Sequence, residues 1–222
     1  MHLKHLKVNN FRNIESLDME FCPNVNCFVG ENGVGKTNIL DAIYYLSFCK
    51  SYFNTQDNLN IRNNEEFFSI HGYYSFENKE EEKYSCSLVK GARKQFKCQD
   101  KEYSKFSEHI GKIPLVMITP SDQELILGGS EIRRKFIDLV ISQADILYLD
   151  SLIQYNKALE QRNRLLKYFS QTQHFDEVSL FLWDEQLIRY GKEIYKNRKE
   201  FIEEFSQPFT YYYKLIAFSF IR

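Results

Sequence analysis

At 222 residues the chain is longer than one average domain and shorter than two, which predicts one large domain or a domain carrying a lobe. With 43% hydrophobic and 16% aromatic residues against 27% charged ones, it can bury a sizeable core, which excludes a disordered chain. Its 29 basic residues face 30 acidic ones for a net charge of −1, which excludes a polybasic protein that holds nucleic acid by bulk charge; any such site must be local.

Leu3, Leu6, Val8 and Phe11, then Leu17, Met19 and Phe21, predict two strands joined through residues 12–16. Cys27-Phe28-Val29 reads as a third, fully apolar strand entering Gly30. Ile39, Leu40, Ile43 and Leu46 recur at helical spacing and predict a helix from residue 37 to about 48. Residues 67–76, 83–90 and 93–97 read as antiparallel strands, with Lys90-Gly91-Ala92 as a turn and 77–83 as a charged loop. Residues 113–118 predict a short buried strand, closed by Thr119-Pro120-Ser121-Asp122, a helix start with proline ahead of a capping residue.

From there the pattern is helical, over 131–143, 149–169 and 176–205. The last of these carries two apolar rows at seven-residue spacing: Leu180, Leu187, Ile194 and Phe201, and beside them Phe181, Ile188, Tyr195 and Ile202. Together they predict a broad stripe packed antiparallel on Leu152, Tyr155, Leu159, Leu166 and Phe169 through a polar loop at 170–175. The run from Tyr211 to Ile221 is β-prone. The expected organisation is a nucleotide lobe over 1–119 that lacks late strands, a helical lobe over 120–206, and a strand over 207–222 returning toward the first lobe.

Gly30-Glu31-Asn32-Gly33-Val34-Gly35-Lys36-Thr37 matches G-x-x-x-x-G-K-[ST] in full, between a predicted strand and a predicted helix, the context that identifies a phosphate loop. The glycines let the backbone curl so that its N–H groups surround phosphate oxygens, and the helix that follows aims its positive end at them. In such a loop Lys36 reaches the β- and γ-phosphates of ATP and the Thr37 hydroxyl holds Mg2+. Five cysteines, Cys22, Cys27, Cys49, Cys86 and Cys98, include no C-x-x-C pair and read as reduced structural thiols. His2, His5, His71, His109 and His174 lack metal spacing and are assigned no chemistry. No window approaches the ~20 apolar residues of a membrane span, so no membrane partner and a cytoplasmic location are expected.

The flanking segments narrow the class of NTPase. Residues 6–13 (LKVNNFRN) and 38–44 (NILDAIY) resemble the SMC and ABC-type ATPases of DNA maintenance, and the RecF recombination-mediator family most closely. Thr119-Pro120-Ser121-Asp122, the Gly128-Gly129-Ser130 to Asp138 segment, residues 155–167 and Trp183-Asp184-Glu185-Gln186-Leu187 carry that resemblance along the chain. It implies an α/β P-loop NTPase fold of the ABC/SMC head type, a β-rich nucleotide lobe plus an α-helical second lobe, forming an ATP-dependent homodimer. It also implies binding to DNA, duplex and single-strand/duplex junctions alike, slow DNA-dependent ATP hydrolysis, and action with RecO and RecR to place RecA on gapped DNA in repair, replication restart and the SOS response. By position, Gly30 through Thr37 are then nucleotide ligands, Arg12 and Asn13 lie beside the nucleotide, and Asp122 or Gln123 is a candidate lid contact.

The family's signature motif and Walker B strand have no counterpart in this sequence. The nearest mimic, Ile146-Leu147-Tyr148-Leu149-Asp150, opens a helical segment, has Ser151 where the glutamate belongs, and reads as a decoy. Arg133, Arg134 and Lys135 are candidates for a DNA or inter-subunit contact, with a solvated helix face as the alternative. Lys90, Arg93, Lys94, Lys97, Lys101 and Lys105 form a local basic excess able to steer DNA, again with a solvated face as the alternative. The rival function is a P-loop small-molecule kinase or metabolic NTPase using the same loop.

Overall fold

The computed structural model describes residues 1–77 and 80–219, which divide into a unit over 1–117 and a unit over 118–222. The first unit is built on a six-stranded sheet of β1 (His2–Phe11), β2 (Ile14–Glu20), β3 (Phe67–Ser75), β4 (Glu82–Val89), β5 (Gln95–Cys98) and β6 (Lys101–Glu102). Its order is β2-β1-β3-β4-β5-β6, and every neighbouring pair is antiparallel. Alternation decides which face is covered: Leu6, Val8, Phe68, Ile70, Cys86, Leu88 and Phe96 point inward and are buried, while Lys7, His71, Ser85 and Lys97 pair across the other face. Against the buried face lies α1 (Lys36–Phe48), which contributes Ala42, Tyr45 and Leu46 to the same core. Gly72 is required by that packing, because a Cβ there would come within 2.6 Å of the Leu46 side chain.

Two predicted strands are not strands. Residues 27–29 and 113–118 form no strand among the described residues, and Val29, Val116 and Ile118 are 92%, 74% and 83% exposed. An apolar run becomes a strand only when a neighbour takes its backbone hydrogen bonds, which hydropathy alone does not report. Ile113 is buried nonetheless, its carbonyl accepting from the Ser47 hydroxyl at 2.6 Å.

His109 is fully buried under α1, with Nε2 2.6 Å from the Leu46 carbonyl. A carbonyl only accepts, so Nε2 carries the proton and Nδ1 faces the Tyr103 hydroxyl at 3.4 Å. Burial lowers the imidazole pKa to about 4, against a smaller upward pull from the Leu46 carbonyl. The unfolded chain therefore binds this proton between pH 6.5 and 4 while the folded one does not, so His109 costs stability progressively as pH falls through that window. The full cost is on the order of 3 kcal/mol. Denaturant unfolding at pH 7 and pH 4.5 should show His109→Gln, which retains a donor for Leu46, losing distinctly less stability on acidification than the parent; equal losses would contradict this assignment.

The second unit is helical: α2 (Glu124–Leu127), α3 (Ser130–Ala144), α4 (Ile146–Thr172) and α5 (Glu177–Ser219). Asp145 caps α4 by accepting from the N–H groups of Leu147 and Tyr148, and Asp176 does the same ahead of α5 for Val178 and Ser179. The antiparallel register of α4 and α5 is explicit: Tyr155 lies against Gly191, and Arg162 Nε pairs with Asp184 at 2.5 Å. Asp138 of α3 ties the bundle by accepting from Arg198 Nε and Nη2, both at 2.7 Å, and from the Tyr148 hydroxyl. The run 146–150 opens α4, as its helical reading requires.

Two expectations for α5 are corrected. Of its apolar rows only Leu180, Leu187, Ile194 and Phe201 lie against the bundle; Phe181, Ile188, Tyr195 and Ile202 are exposed, because the second row lies roughly 100° around the helix from the contact. The expected strand from 207 is instead a continuation of α5 to Ser219, with Pro208 inside it, and residues 220–222 lie outside the described ones. Aromatic i,i+4 contacts, Phe201 with Phe205, Phe205 with Phe209 and Phe209 with Tyr213, support a helix through residues whose β propensity points the other way.

Candidate phosphate-binding loop

The loop between residue 30 and α1 has the backbone its sequence requires. Gly33 and Gly35 take φ of 88° and 109°, left-handed values that a side chain resists. At Gly35 there is a second reason: a Cβ would lie 2.9 Å from Asn13 Oδ1. Gly35 is also the N-cap of α1; no side chain caps this end and its first turn holds no acidic residue. Its leading N–H groups and the positive end of the helix therefore suit an anion. Lys36 lies over the loop, its Nζ donating to the carbonyls of Gly30 at 2.9 Å and Glu31 at 2.7 Å. The Thr37 side chain is exposed in the same first turn.

Behind the loop is a polar network. Asn13 is at the loop: Nδ2 donates to the Gly33 carbonyl at 2.7 Å, and Oδ1 accepts from Asn38 Nδ2 at 2.7 Å. Arg12 has every arm occupied, Nε on Asn60 Oδ1 at 3.2 Å, Nη1 on Asn38 Oδ1 at 3.0 Å, and Nη2 on Ser51 Oγ at 2.8 Å and Asp41 Oδ2 at 2.7 Å. Its backbone is left-handed at φ 53°, which costs a non-glycine residue on the order of 1 kcal/mol.

Asp41 is completely buried on α1 and accepts from Ser51 Oγ at 2.9 Å and the Tyr52 N–H at 2.7 Å. Burial pushes its pKa up, while the Tyr52 N–H, Arg12 and Ser51 pull it back. Sequence reasoning missed Asp41, Asn38 and Ser51; the signal was present as two polar residues inside an otherwise apolar helix pattern. Beside Arg12 and Asn13 is a groove of about 640 Å³ also lined by Leu59, Ile61, Arg62, Asn63, Asn64 and Glu65.

The remaining candidates have local roles. Asp122 lies in the second unit, where its carboxylate accepts from the Thr119 N–H at 2.6 Å in a capping box; Thr119 is the N-cap and Pro120 the first residue of the turn. Gln123 is exposed at the end of that turn. Arg133 donates to the carbonyls of Leu125 and Gly128, Arg134 to Ser130 Oγ, and Lys135 pairs with Glu131 at 2.8 Å, all within α2, α3 and their junction.

Lys94 leaves the proposed basic surface: its amine is nearly buried, on Asp57 at 2.6 Å and the Cys49 carbonyl at 2.6 Å. The half-exposed Asp57 carboxylate and the Cys49 carbonyl together hold the amine inward, whatever its neighbours in sequence. All five cysteines are free, and burial pushes the Cys49 thiol up to about 12. Among the described residues no cluster of metal-ligating side chains occurs, and no helix is long and apolar enough to cross a membrane.

The chain resembles known proteins along most of its length. A family model described as "AAA domain" matches residues 5–213. The chain is 51% identical to the DNA replication and repair protein RecF of Phocaeicola vulgatus and 50% identical to that of Flavobacterium johnsoniae, over 98% of its own length in each case. It spans 58% and 60% of those two proteins. A solved structure titled as the recombination mediator protein RecF-ATPrS in the RecFOR pathway superposes over 91% of this chain and 54% of that one, with a TM-score of 0.86 and 34% identity. An SMC ATPase structure superposes over 65% of this chain at TM-score 0.52 and 17% identity, a likeness of fold. The fold is accordingly that of the RecF and SMC-type P-loop heads, and the chain belongs to the AAA domain family and, within it, to the RecF proteins, whose N-terminal part it represents.

Proposed function

We propose that the chain is the ATP-binding portion of a cytoplasmic RecF-type protein of DNA repair and replication. The observation that carries this reading is the loop: two left-handed glycines, an uncapped helix start and the Lys36 amine all converge on one concave stretch of backbone. ATP would place its β- and γ-phosphates against the N–H groups of residues 33–37, with Lys36 exchanging the Gly30 and Glu31 carbonyls for phosphate oxygens. Thr37 offers one hard hydroxyl oxygen, which fits magnesium, a metal that draws its other ligands from phosphate and water. The nucleoside would extend into the groove beside Asn13, where Leu59 and Ile61 offer apolar surface and Asn63, Asn64 and Glu65 offer polar edges.

In the whole protein this site would gate a homodimer that binds duplex DNA and single-strand/duplex junctions and works with RecR, RecO and RecA. The exposed Arg133, Arg134 and Lys135 remain candidates for the DNA or subunit contact, and Asp122 and Gln123 for the lid. Calorimetry with Mg-ATP tests the central claim: Lys36→Ala should weaken binding at least tenfold while leaving the ligand-free melting temperature within a few degrees, because the amine contacts only loop carbonyls. Equal affinity in mutant and parent would refute it.

A further inference from the structure

Arg12 can only donate hydrogen bonds and the Gly33 carbonyl can only accept them, and two asparagine amides stand between the two. Arg12 Nη1 fixes the oxygen of Asn38 toward itself, at 3.0 Å. That leaves Asn38 Nδ2 to face Asn13 Oδ1, at 2.7 Å, and Asn13 Nδ2 to reach the Gly33 carbonyl, also at 2.7 Å. The polarity of the whole chain is therefore set at Arg12, whose guanidinium is anchored by the fully buried Asp41. Drawing the Gly33 carbonyl toward Asn13 also turns the N–H of Val34 the opposite way, since a trans peptide holds the two antiparallel. Gly35 takes part as well: any Cβ at that position would meet the Asn13 amide at 2.9 Å.

We propose, resting on the nucleotide reading above, that Asn38 and Asp41 are positioning residues that hold the phosphate loop in its binding conformation through Asn13. Arg12, on this account, acts as the strut that fixes the polarity of that chain. The loop glycines then serve two ends, the curl of the backbone and the seat of the Asn13 amide.

The test is Mg-ATP calorimetry on this chain, its Asn38→Ala and Asn13→Ala variants, the double variant, and Lys36→Ala as control. Each asparagine variant should lose about tenfold in affinity, the worth of one hydrogen bond, and the double variant should lose no more than either single, because all three break one chain of contacts. A hundredfold loss in the double variant, or parental affinity in either single, would overturn the proposal. If Asn38→Ala melts early without ligand, Asn38→Ser takes its place, its shorter side chain being unable to bridge Arg12 and Asn13. Loss of binding in Lys36→Ala but not in the asparagine variants would overturn the latch alone, whereas a parent chain that binds no ATP, or a Lys36→Ala variant that binds like the parent, would overturn the nucleotide reading itself.

Discussion

Asp41→Ala should destabilise the first unit by about 3 kcal/mol, toward the low end of the cost of leaving a partner charge uncompensated, because Arg12 is only partly buried. The substitution strips Arg12, Ser51 and the Tyr52 N–H of one shared acceptor in a position with no access to water. For a unit of this size the melting temperature should fall by on the order of 12 °C. Two further variants separate charge from packing. Arg12→Met alone leaves a carboxyl whose pKa burial already raises, so it can take up a proton and should cost less. The double variant, Asp41→Ala with Arg12→Met, should recover part of the loss because neither charge is then buried alone. A melting temperature for Asp41→Ala within 3 °C of the parent, by calorimetry or circular dichroism, would show that water or another group compensates the arginine.

The features that were legible in the sequence are those whose cause is local. The phosphate loop is a contiguous string, and the strands from 67 to 98 announce themselves by alternation on a sheet with one covered face. The α4 and α5 pair follows from apolar spacing. What failed depends on neighbours distant in the chain. Residues 27–29 and 113–118 have strand composition but form no strand among the described residues, and the tyrosine-rich run after 210 has strand propensity yet continues a helix. Propensity is a weak prior beside a helix already propagating from Glu177. Asp41 illustrates the same limit within the site. One carboxylate in an apolar helix pattern does not name its partners; the fold shows that Arg12, from one segment, and the adjacent Ser51 and Tyr52, from another, converge on it.

The purified chain should release phosphate from ATP at a negligible rate even at nucleotide concentrations that saturate its loop. Hydrolysis needs a carboxylate or equivalent group to orient the attacking water, a second hold on magnesium, and charge stabilisation at the γ-phosphate. Lys36, Thr37 and the backbone donors supply part of the last two. On α1 the carboxylate is Asp41, and it is buried and committed to Arg12, Ser51 and the Tyr52 N–H, so it can neither orient water nor accept its proton. Glu31, in the loop itself, keeps its side chain exposed, and the run 146–150 that mimics an acidic strand is the first turn of a helix whose Tyr148 is spent on Asp138. Each missing stabilising group is typically worth ~10²–10³ in rate, so the absence of two puts turnover at least about four orders of magnitude below that of a complete site. A coupled phosphate-release assay over several hours checks this. Steady release that Lys36→Ala abolishes would mean that the water-orienting group already lies within these residues.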